Sequence, residues 1–161
     1  MRTLTILLLF LAWPVSGQAA SPLADMDAAK RPRLTSIYST VHDLEEFTKG
    51  DTPGIVLVFL GTKCPVARSY IPRLIELADT YRGQRIKTLG IYSDVGVNAF
   101  DIATHAQELD ISFPVFKDVD HRLATWLGVQ TTPEVVVLDE NLAKVYQGAI
   151  DDQFKRHGRK P

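Results

Sequence analysis

The sequence has a single cysteine among its 161 residues, Cys64. One thiol cannot form an internal disulfide, a four-cysteine zinc site or an intramolecular dithiol pair, because each of these needs at least two cysteines in the chain. Any redox chemistry of Cys64 therefore needs a sulfur or an oxidant from outside the chain.

The chain also lacks an excess of charge of either sign. Its 18 Lys+Arg and 19 Asp+Glu give a formal net charge of -1. Nucleic-acid binding needs a clustered basic surface, so we predict no nucleic-acid partner.

Several motifs of cofactor and metal sites are missing as well. The sequence has no Gly-x-Gly-x-x-Gly motif, no phosphate loop and no Gly-x-Ser-x-Gly elbow, so nothing indicates a nucleotide cofactor or a hydrolase. The histidines lack the pair spacing of metal ligands, which predicts no metal site and four surface side chains: His42, His105, His121 and His157. We expect no cofactor.

Residues 1–20 resemble a signal sequence rather than a membrane span. They carry one charged side chain, Arg2, and an apolar run over residues 6–13 that small residues follow. This pattern is typical of a secretory signal peptide, whereas a membrane anchor needs about 18 to 20 apolar residues. We predict cleavage after Ala19 or Ala20, no transmembrane anchor after cleavage, and export to an oxidising compartment, where a lone thiol needs a reductant to stay reduced.

The remaining chain alternates predicted strands and helices. Residues 21–33 show no clear period, so we expect them to add little to the core, and we predict a lead-in segment over 21–40. Residues 41–47 predict a short helix or an edge segment. Strands are predicted over 55–60, 86–92, 113–116, 134–138 and 144–148, and helices over 66–81, 97–109 and 122–127, the first of them bent at Pro72. This order predicts an α/β sandwich in which parallel strands precede a hairpin.

Cys64 lies just past the most apolar strand, with Pro65 in the first turn of the predicted helix. Free amides and the positive end of the helix dipole stabilise a thiolate there, and Lys63 and Arg68 add positive charge. The sequence therefore predicts a reactive thiol at Cys64. The alternative is that Cys64 is a small buried hydrophobic side chain.

Three stretches resemble the bacterial redoxins of the thioredoxin superfamily, which are related to the alkyl-hydroperoxide-reductase and thiol-specific-antioxidant group. They are VLVFLGTKCPVARSY at 56–70, TTPEVVVLD at 131–139 and YQGAIDDQ at 146–153. The resemblance covers about residues 34–152. It implies a thioredoxin-like three-layer sandwich with a central mixed sheet, a redoxin domain over 41–152, and a periplasmic or other extracytoplasmic location in a bacterium.

The resemblance also implies site residues. Cys64 matches the nucleophile, and Thr132 with a cis Pro133 matches the loop that faces it and that can pair with an extended peptide. The remaining supporting or substrate-binding residues are expected around the cysteine: Thr62, Lys63, Pro65 and Arg68. Without the resemblance, Thr132 and Pro133 would be an ordinary turn before a strand.

The sequence departs from the family patterns at key positions. Ala67 stands where thioredoxins have the second cysteine of Cys-x-x-Cys, so the resolving thiol is missing. Leu57 and Gly61 stand where peroxiredoxins have the proline and threonine of Pro-x-x-x-Thr-x-x-Cys, although Thr62 supplies a hydroxyl one residue along.

These departures leave two functions. The first is a one-cysteine thiol oxidoreductase or antioxidant: the Cys64 thiolate attacks a small peroxide or a disulfide-bearing protein, and an external thiol reductant resolves the product. The second is a redox-inactive thioredoxin-like module that binds a peptide within an exported electron-transfer complex.

The last residues lack an apolar period. Residues 153–161 form a polar, basic tail, although the family's fold ends in a helix on the sheet. We therefore expect either a truncated sequence or a partly uncovered sheet face. Acidic residues after strands, Asp94 and Asp118 among them, are expected to cap helices or lie in solvated loops, with no catalytic role.

Overall fold

The computed structural model describes Leu23, Met26, Asp27 and residues 30–151. The predicted signal peptide at 1–20 and the basic tail at 153–161 lie outside the described residues. Among the residues that are described, no helix combines the length and the apolar character that crossing a bilayer requires.

The centre of the fold is one mixed sheet of seven strands within the described residues. In chain order the strands are β1 Arg33–Ser36, β2 Val41–Asp43, β3 Gly54–Leu60, β4 Lys87–Tyr92, β5 Val115–Asp118, β6 Glu134–Asp139 and β7 Lys144–Gly148. Their spatial order is β2-β1-β5-β4-β3-β6-β7. Strands β3, β4 and β5 run parallel, and β6 and β7 form an antiparallel hairpin beside β3. The predicted mixed sheet with a late hairpin is confirmed.

Three α-helices cover the two faces of this sheet: α1 Pro65–Arg82, α2 Ala99–Glu108 and α3 Arg122–Leu127. Helix α1 is continuous through Pro72, as predicted. Because side chains alternate along β3, Val58 and Leu60 pack with α1 and α2, whereas Leu57 and Phe59 pack with α3. The result is the three-layer α/β sandwich that the sequence predicts.

The prediction that residues 21–33 add little to the core is wrong, because Leu23 is buried. Leu23 and Leu34 are fully buried in the cluster beneath α3. Strand β1 pairs antiparallel with β5 and places Leu34 opposite Asp118. The apolar residues of this segment are isolated, so their burial depends on pairing with a distant strand and leaves no period in the sequence.

Asp118 at the end of β5 caps α3, as the sequence predicts for an acid in this position. Its fully buried carboxylate accepts hydrogen bonds from the backbone N–H groups of Leu123 and Ala124, each 2.9 Å away, and from the Ser93 hydroxyl at 2.8 Å. The cap fixes α3 at the carboxyl end of the parallel strands, which is also the end where Cys64 lies.

Candidate active site around Cys64

Cys64 is the N-cap residue of α1, and its side chain is half-buried. The N–H of Ala67 donates to Sγ at 3.4 Å, and the thiol donates to the carbonyl oxygen of Thr132 at 3.3 Å. Pro65 begins the helix, where a missing N–H leaves no acceptor unpaired. The sulfur therefore lies between the free end of a helix and the loop that precedes β6.

The loop opposite Cys64 is held by a buried carboxylate. The Thr132–Pro133 peptide bond is cis. The Glu134 side chain accepts hydrogen bonds from the N–H groups of Gln130 at 3.0 Å and Thr131 at 3.3 Å, and from the Gln147 side-chain amide at 2.7 Å. Glu134 thus ties this loop to β7. Glu134 is not predictable as a site residue from the sequence, because an acid at the first position of a strand has no distinguishing pattern.

Asp94 lies at the site on the other side of Cys64. Its carboxylate accepts the Thr62 N–H at 3.1 Å, and its backbone carbonyl accepts a hydrogen bond from the Lys117 ammonium. Asp94 therefore anchors the turn that leads into Cys64, a turn closed by the Cys64 N–H on the Gly61 carbonyl at 3.1 Å. The expectation that Asp94 would only cap a helix or lie in a solvated loop missed this contact.

Gly61 explains why the peroxiredoxin threonine has no equivalent here. A Cβ at this position would lie 3.2 Å from Thr132 Oγ1, 3.4 Å from Asp94 Oδ1 and 3.4 Å from Cys64 Cβ. A side chain at position 61 therefore requires the Thr132 hydroxyl to shift by a few tenths of an ångström and leaves little room beside Asp94 and Cys64. The Thr62 side chain forms no hydrogen bond within the described structure, and this residue contributes its backbone N–H to the site instead.

The two predicted cations differ in their surroundings. Arg68 lies 3.8 Å from Glu108 of α2, and both side chains are more than half exposed. Lys63 is exposed and has no ion pair among the described residues. Lys63, the residue directly before Cys64, thus has a positive charge without an ion pair in the described part of the chain.

His105 is buried, so the prediction that all the histidines lie at the surface is wrong. Only 5% of this residue is exposed, and its Nδ1 lies 2.8 Å from the Tyr92 hydroxyl. Burial lowers the pKa of His105 and raises the pKa of Tyr92, which the Asp94 charge raises further. Both groups are therefore neutral at pH 7. The helical period could have shown that His105 is buried, because it lies three residues after Ile102 and four before Leu109, on the apolar side of α2.

Two clefts flank Cys64. One, of about 650 Å³, is lined by Asp94, Gln130, Thr131 and Thr132. The other, of about 540 Å³, is lined by Lys63, Val95, Phe100 and His105. Across the described ranges, no group of three His, Cys, Asp or Glu side chains could hold a metal ion. The two clefts are lined by residues on either side of Cys64, namely Thr62 and Lys63 before it in the chain and Thr132 across from it.

Two curated proteins whose sequences are similar to this chain are thiol-disulfide oxidoreductases. The thiol-disulfide oxidoreductase ResA of Geobacillus thermodenitrificans is 25% identical over 107 residues, which cover 65% of this chain and 60% of ResA. The ResA of Halalkalibacterium halodurans is 21% identical over 125 residues, 74% of this chain and 70% of that protein. This chain thus spans about 60% of the length of the first of these relatives.

The fold agrees with these relatives. The crystal structure of a secreted Mycobacterium tuberculosis disulfide oxidoreductase superposes with a TM-score of 0.59 at 16% identity, over 74% of this chain and 84% of that one. The fold class is therefore thioredoxin-like, as the sequence resemblance implies. The sequence model of the AhpC/TSA family matches residues 27–146, and the chain belongs to that family.

Proposed function

We propose that this protein is an exported thiol-disulfide oxidoreductase that works with Cys64 alone. The observation that carries the proposal is the position of Sγ at the N-cap of α1, within 3.4 Å of the Ala67 N–H. A thiolate in this place gains a hydrogen bond and the positive end of the helix dipole. The unpaired Lys63 next to it adds a favourable charge.

The reaction begins when the Cys64 thiol loses its proton to solvent. The thiolate attacks one sulfur of a substrate disulfide, so that a bond forms between Sγ and that sulfur while the substrate S–S bond breaks. The second substrate sulfur leaves as a thiolate and takes a proton from water. In the resting state the Thr132 carbonyl oxygen accepts a hydrogen bond from the Cys64 thiol. Once the thiol is deprotonated, this oxygen is free to accept a hydrogen bond from an N–H of the bound peptide.

A thiol from outside the chain completes the cycle. Ala67 occupies the position from which a second cysteine would attack, and its side chain is fully buried. The external thiolate attacks the mixed disulfide at the substrate sulfur, which releases Cys64 as a thiolate and leaves a new disulfide between the substrate and the external thiol. The disulfide-bearing substrate thus bonds to the Cys64 sulfur, and the thiol reductant then bonds to the substrate sulfur and frees Cys64.

The relatives support the class of activity that we propose. Two of them are thiol-disulfide oxidoreductases, and a third protein with this fold is a secreted disulfide oxidoreductase. The signal-like residues 1–20 agree with export, and we propose a periplasmic or other extracytoplasmic location with the redoxin domain over 41–152. The residues that we assign to the site are Cys64 as nucleophile, with support from Thr62, Lys63, Pro65, Thr132 and Pro133; Arg68 belongs to the rim through Glu108.

The test is turnover by the reduced protein in excess external thiol. Wild-type protein should accelerate reduction of a peptide disulfide, and Cys64→Ser should return the rate to that of the thiol alone. Ser69→Ala, on an exposed part of the same helix, is the matched control and should keep full turnover. A redox-inactive module instead predicts equal peptide binding by wild type and Cys64→Ser and no turnover by either. Repeating the assay with hydrogen peroxide separates peroxidase from disulfide activity.

A further inference from the structure

The cleft beside α2 opens directly next to the nucleophile. It has a volume of about 540 Å³, and its lining includes Thr62 and Lys63, the two residues before Cys64. The cis-proline loop is not part of its lining. We call this the α2 cleft; it is a separate surface from the cleft bordered by Thr131 and Thr132.

Two large apolar side chains project into solvent at the α2 cleft. Val95 is 87% exposed and Phe100 is 76% exposed. The backbone at Phe100 is held by the helix cap: the Asn98 side chain accepts the N–H groups of Phe100 and Asp101, and the Asp101 carboxylate accepts the Asn98 N–H. A fixed apolar pair beside a reactive sulfur offers a binding surface for an apolar side chain.

The α2 cleft carries charges of both signs: the carboxylates of Asp101 and Glu108 line it, and the ammonium of Lys63 lies at the end nearest Cys64. Glu108 faces Arg68, and Asp101 is engaged in the helix cap. The N-terminal amides of α2 are satisfied by Asn98, so they do not bind an anion. Lys63 is left as the cation without an ion pair in this part of the described structure, and it adjoins Cys64.

A buried histidine in the lining of the α2 cleft is a second indication of a ligand. His105 lines the cleft, and its Nε2 is buried without a hydrogen-bond partner within the described residues. Since Nδ1 faces the Tyr92 hydroxyl, Nε2 points away from it. Because His105 lines the α2 cleft, an occupant that reaches Nε2 can give it the hydrogen bond that it lacks.

We propose that the α2 cleft binds the polypeptide that carries the substrate disulfide. An aromatic or aliphatic side chain near the substrate cysteine packs against Val95 and Phe100, and a neighbouring carboxylate lies near Lys63. This assignment rests on the proposed function, and it makes the protein selective for cysteines in an apolar and acidic sequence context.

The experiment compares short peptides whose cysteine is a mixed disulfide with thionitrobenzoate, because attack by Cys64 releases a coloured thiolate. One peptide has phenylalanine and glutamate next to the cysteine; a second has alanine for phenylalanine, and a third has glutamine for glutamate. The proteins are the full chain, Phe100→Ala, Lys63→Gln and, as control, Tyr38→Ala, whose side chain is 83% exposed on the loop between β1 and β2. Each rate is divided by that protein's rate with dithiodipyridine.

Wild type and Tyr38→Ala should prefer the phenylalanine peptide over the alanine peptide by about tenfold, the factor expected when one apolar side chain is partly buried. Phe100→Ala should lose this preference, and Lys63→Gln should lose the preference for glutamate over glutamine. Equal normalised rates for all three peptides would overturn the proposal that the α2 cleft binds the substrate polypeptide, and would leave the proposed function intact. The proposal would also be overturned if wild type showed no peptide selectivity but associated with itself, and if Phe100→Ala abolished that self-association. The α2 cleft would then bind a second copy of this chain. No reaction of Cys64 with any disulfide would overturn the proposed function itself.

Discussion

The Cys64 thiol donates a hydrogen bond to the Thr132 carbonyl oxygen 3.3 Å away, although the two residues lie 68 positions apart in the chain. This contact joins the start of α1 to the loop before β6. Both segments must therefore be fixed in place for the sulfur to face the carbonyl oxygen. Asp94 holds the first segment and Glu134 holds the second. The chemistry of the single thiol therefore depends on two carboxylates that form no hydrogen bond with it.

Asp94 has two effects on Cys64 that a pair of variants separates. Asp94→Asn removes the negative charge near the sulfur and keeps an acceptor for the Thr62 N–H, so Cys64 should attack dithiodipyridine faster than wild type at pH 7. Asp94→Ala removes the charge and also frees the turn, so it should be slower than Asp94→Asn by about threefold to tenfold, the equivalent of one hydrogen bond. Equal rates for the two variants would show that the bond to Thr62 does not position Cys64.

Glu134→Gln should destabilise the loop opposite Cys64. A glutamine has one acceptor oxygen, so either the two backbone N–H groups or the Gln147 amide loses its partner, at a cost of about 1 to 3 kcal/mol in the free energy of unfolding. The double variant Glu134→Gln with Gln147→Glu restores a donor opposite an acceptor and should recover most of this loss. Urea unfolding measures both. If the double variant is no more stable than Glu134→Gln, the side-chain pair does not hold the loop.

The sequence predicts those parts of the site that neighbouring residues in the chain define. Six apolar residues, a turn, and Cys64 followed by Pro65 define the end of β3 and the start of α1 without reference to the rest of the chain. Asp94 and Glu134 carry no such signal, because an acid beside a strand has the same local pattern whether it faces solvent or a distant backbone N–H. Their partners became visible only when the sheet order was known.

Strand β1 and His105 were missed for a related reason. Leu34 is an isolated apolar residue whose burial comes from pairing with β5, which lies about 80 positions later in the chain. The helical period places His105 on the apolar side of α2 with Ile102, but it does not show that the Tyr92 hydroxyl is there to pair with the buried ring. Long-range pairing and matched buried polar groups are properties of the fold, and a single sequence does not display them.

His105 should make stability fall in mild acid. Because burial lowers the pKa of His105 in the folded protein, the unfolded chain binds a proton first as the pH falls below about 6.5, and stability decreases with it. Glu108 and Asp94 oppose this shift and Arg68 adds to it. His105→Asn keeps a hydrogen-bonding partner for Tyr92 and does not titrate. The difference in unfolding free energy between wild type and His105→Asn should therefore change between pH 7 and pH 5; a constant difference would contradict the assignment.

Ala67→Cys should turn the one-cysteine cycle into a two-cysteine cycle. The Ala67 N–H already contacts Sγ of Cys64, so a thiol at position 67 lies one helical turn from the mixed disulfide. Intramolecular attack should shorten the lifetime of that mixed disulfide by about tenfold or more relative to wild type. Ala67→Ser, which has nearly the same volume and no thiol, is the control. A lifetime unchanged by Ala67→Cys would show that position 67 cannot reach the substrate sulfur.

The most direct test of the account is the intact mass of the reduced, folded protein after brief exposure to a peptide disulfide at pH 7. Because the chain has one cysteine, an added peptide mass assigns the adduct to Cys64 without further mapping. The account predicts one peptide per chain, formed faster than on the unfolded protein, stable in the absence of thiol and released when an external thiol is added. An adduct that forms only after unfolding, or more slowly on the folded protein, would contradict the central claim that the fold makes Cys64 a nucleophile for disulfides.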